Sequence, residues 1–147
     1  MPIDQTKLDP GGLRLRRAVI GAAYVSHALG QADEFSRPLQ ELITNYAWGK
    51  VWSRRGISRK TRSLVTIALL TALNRTVELR LHVAGAVRNG CTQEEIRETL
   101  LHCSVYCGIP ASVDAFSIAR EVLSSMKPPT ARVKKVKAKK KSLSSRS

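Results

Sequence analysis

Apolar residues recur along this chain at intervals of three and four, the spacing of a helix face, from about Leu13 to Leu123. Leu13, Ile20 and Tyr24 predict a first helix over about residues 10–29, with Arg14, Arg16 and Arg17 turned partly outward. Leu39, Leu42, Ile43 and Tyr46 predict a second from about Pro38 to Trp48. Proline suits a first turn, and Ser36 lies close enough to cap it. The stretch "WGKVWSRRGIS" then breaks the period with two glycines and two tryptophans and reads as a loop with aromatic anchors. Ser58 is placed to cap a third helix reaching about Leu73, in which Leu64, Ile67, Ala68, Leu70 and Thr71 leave little polar surface.

"RTVELRLHVAGAVRNG", residues 75–90, predicts a fourth helix. Leu79, Val83 and Ala86 form one apolar row and Val77, Leu81 and Ala84 another, so most of its circumference lacks a solvent face. Asn89-Gly90 ends it, with a glycine free to take a positive φ. Thr92 and Glu95 make a capping box for a fifth helix, lined on one side by Ile96, Leu100, Cys103 and Cys107 and ended by Gly108. Pro110 starts the last, which carries Val113, Phe116, Ala119 and Leu123 toward the core. The predicted fold is all-α, a compact bundle of five to six helices with no strand.

Composition narrows this picture. At 147 residues and 43% hydrophobic content the chain can bury one core, and 5% aromatics suit helices better than a sandwich or barrel. The longest apolar run, near residues 64–73, is interrupted by Thr66 and Thr71 and is far too short to cross a bilayer, so no membrane span is expected. The first residues lack the apolar stretch of a secretory signal. A cytoplasmic protein is therefore expected, with Cys91, Cys103 and Cys107 as thiols.

The net charge of +14 is concentrated at one end: residues 127–147 hold nine of the 25 basic residues and none of the 11 acids. Two organisational units follow, a helical domain over residues 1–126 and a disordered basic tail over 127–147. Such a tail can touch polyanions through charge alone. No helix-turn-helix, RNA-binding aromatic pair or zinc spacing accompanies it.

The candidate chemistry lies in the fourth helix. Glu78 and His82 are one helical turn apart and so share a face. On an exposed helix such a pair contributes a few tenths of a kcal/mol and nothing more. Apolar surroundings change the reading, because burying a carboxylate is costly unless it is paired or protonated.

Taken in order, "YAWGKVWSRRGISRKTRSLVTIALLTALNR" and "ELRLHVAGAVRNGCTQEEIRETLLHCSVYCGIPA" resemble the carboxymuconolactone decarboxylase family over about Leu13 to Leu123. The likeness rests on "ELRLH", the "WG..W.R" loop, the "TRSL" helix start and "YCGIP". It implies an alkyl hydroperoxidase D-like helical fold and a homo-oligomer, a ring-like hexamer. It also implies decarboxylation of gamma-carboxymuconolactone, a dianionic lactone, to beta-ketoadipate enol-lactone in protocatechuate breakdown, with no cofactor and no metal. On this resemblance His82 and Glu78 are the catalytic pair, either of which could deliver the proton. Arg62, Arg75 and Arg54 are candidates for the substrate's carboxylates, with Trp52 and Tyr106 as pocket walls.

The peroxidase branch of the superfamily uses Cys-x-x-Cys followed by His four residues on. Placed on His82, those cysteine positions fall on Arg75 and Glu78, and Ser63 replaces an acid, so thiol chemistry is not expected. Other departures are Arg55 where many relatives have Pro, Ala84 where many have Arg, and His102 where Gln is frequent. These keep open a different carboxylactone as substrate, or a non-catalytic oligomeric module that works through its basic tail.

Overall fold

The computed structural model describes residues 3–126, so the basic tail expected over 127–147 lies outside the described residues. After a short 3-10 turn at Gln5–Lys7, α1 spans Pro10–Ile20. The Asp9 carboxylate accepts the Gly12 N–H at its start, and Pro10 supplies a preset φ. Gly21, at φ 109°, ends α1 in a conformation that a side chain resists, and α2 begins again at Ala22–Gly30. The single helix expected over 10–29 is therefore two. Arg88 secures the break by donating to the Val19 and Ile20 carbonyls at 2.9 and 3.1 Å, groups that the end of α1 leaves free.

The second predicted helix is present, with a different interior. α3 covers Arg37–Leu42 and runs directly into a π-helical segment, Ile43–Trp52, which absorbs the first half of the expected loop. A close crossing accompanies the wider winding. A Cβ on Gly12 of α1 would lie 2.3 Å from the Thr44 carbonyl oxygen and 2.8 Å from the Gly49 nitrogen. Asn45 also accepts the Asp9 N–H at 2.7 Å, so the two segments are pinned together at the start of α1. Arg16, expected partly outward, is buried in this crossing. It donates to Thr44 Oγ1 at 2.9 Å and Gln40 Oε1 at 2.8 Å, and burial pulls its pKa below the usual guanidinium value.

The remaining helices match their sequence signals closely. α4 is Arg59–Ala72 with the Ser58 hydroxyl accepting from Thr61 N–H, and α5 is Thr76–Arg88 with Gly90 at φ 88° beyond it. α6 is Gln93–Cys107 with both bonds of the Thr92–Glu95 capping box formed, and α7 is Ile109–Ser125 after Gly108 at φ 90°. Seven α-helices and no strand stand among the described residues, one helix more than expected because of Gly21.

Two apolar clusters form the core. α4 to α7 bury Ile67, Leu79, Val83, Ile96, Leu100 and Ala119, while α1, α2 and the π segment bury Val19, Val25, Leu29 and Trp48. α5 joins the two at Gly85, where a Cβ would meet the Val19 side chain at 3.0 Å and its carbonyl oxygen at 3.1 Å. Glycine leaves room there for α1 rather than for a ligand. The second apolar row of α5 is not core: Val77 is 69% exposed and Leu81 and Ala84 are half-buried, and Val113 on α7 is exposed as well. Among the described residues no helix is long and apolar enough to cross a membrane.

Candidate active site

The π segment and α5 build the site between them. Trp48 and Trp52 are four residues apart, so the winding brings both indoles to one side, with ring centroids 4.7 Å apart. His82 projects from α5 against them. Its ring lies parallel to Trp48 within 3° at 6.3 Å and sits 6.1 Å from Trp52. Its Nδ1 is buried and has no hydrogen-bond partner. Burial drives the ring's pKa down to about 4, outweighing the Glu78 carboxylate, which acts to raise it. The resting ring is thus neutral near pH 7.

Glu78 is placed differently from expectation. It lies one turn before His82 but is exposed, and no hydrogen bond joins the two side chains. The charge reaches the imidazole through space only. Wide concavities of about 740, 630 and 470 Å³ are lined by neither residue. The Glu78–His82 edge is open in a single chain.

Two of the three candidate arginines come together. Arg62, in the first turn of α4, is half-buried and donates through Nη2 to the Arg54 carbonyl oxygen at 3.1 Å, while its Nε is buried without a partner. Arg75 precedes α5 as its exposed cap residue, with its backbone N–H on the Leu70 carbonyl, and no contact links its side chain to His82. Tyr106 is 76% exposed on α6 and packs against His102 at 4.9 Å, apart from the tryptophan and imidazole group. Trp48 is the wall that the sequence reading passed over. Its spacing from Trp52 was the available signal, masked by Gly49 between them. Ala84 lies about 200° around α5 from His82 and lines a separate concavity with Arg80 and Arg88. The departure at that position therefore leaves the His82 face of this chain unaltered.

Two of the three cysteines are poorly suited to thiol chemistry. Cys91 and Cys103 are buried, and burial raises the pKa of each, the opposite of what a nucleophilic thiolate needs. Ser63 is fully buried and accepts a hydrogen bond from Asn89 at 2.9 Å, a structural use of the position where peroxidase relatives carry an acid. Among the described residues, no three of His, Cys, Asp and Glu converge closely enough to hold a metal ion.

Comparison with known proteins identifies the family. The chain is 46% identical over 120 residues to a nitrosuccinic acid decarboxylase of Metarhizium robertsii, covering 82% of this chain and 84% of that protein. It is likewise 46% identical over 115 residues to a 4-carboxymuconolactone decarboxylase of Acinetobacter baylyi, covering 78% and 86%. A Pseudomonas putida sequence of the latter name is 36% identical over 47 residues, 32% of this chain and 98% of that one. The family pattern itself matches residues 37–121, a span holding both tryptophans, Arg62, Glu78 and His82. The chain belongs to the carboxymuconolactone decarboxylase family and is a decarboxylase, a carboxy-lyase.

Proposed function

We propose that this chain removes carbon dioxide from gamma-carboxymuconolactone without a cofactor, giving beta-ketoadipate enol-lactone in protocatechuate breakdown. The departing carboxylate sits on a ring carbon conjugated through C=C to the lactone carbonyl. When the C–C bond breaks, its electron pair moves onto that carbonyl oxygen as a dienolate, and one proton must then return to carbon. The indoles of Trp48 and Trp52 offer the departing carboxylate poor solvation, which favours its loss as neutral carbon dioxide. His82 supplies the proton. Neutral at rest, it gains one when the dianion binds, because two nearby negative charges and Glu78 all favour imidazolium. Arg54 and Arg62 provide guanidiniums on the same side of the molecule as Trp52.

The observation that carries this reading is the half-buried His82 ring, its Nδ1 buried without a partner, against two tryptophans and one turn after a carboxylate. Turnover of freshly generated gamma-carboxymuconolactone, followed as carbon dioxide release by the full chain, tests it. No release above the uncatalysed rate would overturn it.

A second substrate is favoured by the equal identity to the nitrosuccinic acid decarboxylase. In nitrosuccinate the nitro group replaces the lactone carbonyl as electron sink, giving a nitronate that is protonated on carbon. The same His82 proton serves either reaction, and parallel assays of the two dicarboxylates discriminate them. In this reading the working form is a homo-oligomer, a hexamer by family resemblance. The basic tail adds only salt-sensitive, non-specific contact with polyanions. Deleting residues 127–147 is expected to abolish that contact and leave turnover unchanged at moderate salt.

A further inference from the structure

A cleft of about 630 Å³ opens beside Trp52, between α1 and the turn that leads into α4. Its volume lies in the range of small-molecule sites. Arg14 reaches it from α1, Arg54 and Arg55 from residues 53–58, and Arg59 from the first position of α4. None of these four guanidiniums takes part in a hydrogen bond or ion pair among the described residues. Some cations elsewhere do find acids: Arg80 pairs with Glu121, Arg97 with Glu94 and Glu98, and Lys60 with Glu95.

The cleft's own polar groups are already committed. Its one carboxylate, Asp9, accepts the Gly12 N–H to cap α1. The Ser53 hydroxyl donates to the Gly49 carbonyl, and the Ser58 hydroxyl accepts from Thr61 N–H. Four guanidiniums therefore face one space that holds a single carboxylate, Asp9, leaving an excess of positive charge, and planar guanidinium forks match carboxylates at two points. Arg62 holds the Arg54 carbonyl and so fixes the turn that carries Arg54 and Arg55. Trp52 links this cleft to the chemistry, since it lines the cleft and its ring lies 6.1 Å from His82.

We propose that the cleft is the subsite for the substrate carboxylate that does not leave. It takes one end of a small polycarboxylate whose scissile end lies on the His82 side of Trp52, with Arg14 and Arg55 joining Arg54 and Arg59 as specificity-determining residues. The assignment rests on the decarboxylase reading of His82, and its test separates the two.

The test uses full-length protein and tricarballylate, an unreactive tricarboxylate, with binding read by fluorescence of the two tryptophans. Four proteins are compared: wild type, Arg14→Gln/Arg55→Gln, His82→Gln, and Arg97→Gln/Arg120→Gln as a charge-matched control. The exposed positions of Arg14 and Arg55 leave the core untouched, which circular dichroism checks. The expected result is a dissociation constant raised about tenfold or more in the Arg14/Arg55 variant alone. KM for the decarboxylated substrate should rise by a similar factor in that variant, with kcat within about threefold. Wild-type binding by the Arg14/Arg55 variant, an equal loss in the charge control, or an unchanged KM would overturn the proposal. If wild type turns over neither dicarboxylate, the proposed substrates fail, and the binding arm still upholds or overturns the cleft as a polycarboxylate site.

Discussion

Burial and a neighbouring carboxylate pull on His82 in opposite directions, and burial wins, leaving a folded-state pKa of about 4. In the unfolded chain the ring titrates near ~6.5. Between those values the unfolded state holds more protons, so the stabilisation from the neutral ring is complete above about pH 6.5 and is lost as pH falls toward 4. The upper bound is about 3 kcal/mol, reduced in practice by the partial exposure of the ring. Urea midpoints at pH 7 and 4.5 should therefore fall further for wild type than for His82→Gln, and parallel declines would refute the assignment. Catalysis makes a separate demand on the same atom. His82→Gln retains some hydrogen bonding but removes proton transfer, so kcat should drop on the order of a hundredfold. If Glu78 acts only by favouring imidazolium, Glu78→Gln should lower kcat less, and the double variant should be little worse than His82→Gln alone. Normal turnover by correctly folded His82→Gln would remove this histidine from the mechanism.

Among the elements, Gly12 and Gly30 offer a controlled contrast. A Cβ at Gly12 would strike the Thr44 carbonyl at 2.3 Å and the Gly49 backbone at 2.8 Å, and backbone cannot rotate aside as a side chain can. Gly12→Ala should therefore cost about 2 kcal/mol or more and lower turnover by shifting the segment that carries Trp48 and Trp52. Gly30→Ala, with no atom within 4 Å of its Cβ, should be neutral or slightly stabilising. Melting temperatures of the two variants decide the matter, and similar values would show that the crossing yields more easily than its geometry implies. The same contrast explains what the sequence could reveal. The stops at Gly90 and Gly108, the Ser58 cap and the Thr92–Glu95 box depend on residues a few positions apart, and each is visible in a short window. The break at Gly21 was hidden because apolar periodicity continues through it. The π segment was hidden because Gly49 looks like a helix breaker until Gly12, far away in sequence, is seen packed on it. Glu78 and His82 were legible as an i, i+4 pair. The grouping of Arg14 with Arg54, Arg55 and Arg59 depends on how α1 packs and was not.

At the scale of the whole molecule, apolar rows stand uncovered among the described residues, and one of them leads toward the site. Val65, Leu69 and Leu73 recur every four residues along the outer side of α4, between 48% and 67% exposed, and Val77 continues beyond them at the start of α5. Single exposed apolar residues are ordinary, whereas a row at helical spacing repeats the pattern of a buried face. The stripe ends close in sequence to Glu78, so a second copy laid along it would also close the open edge beside His82. Leu69→Glu separates folding from assembly. In one chain the new carboxylate would stand in water and leave the helical signal unchanged, but between copies it would be buried without a partner, at a cost of several kcal/mol. Light scattering should find wild type as a defined oligomer and Leu69→Glu as a smaller species of equal helicity. Turnover should fall with the mass, because the site regains its open, wetter edge. An unchanged mass for the variant would show that α4 is not the contact, and a monomeric wild type at working concentration would show in addition that His82 works against solvent.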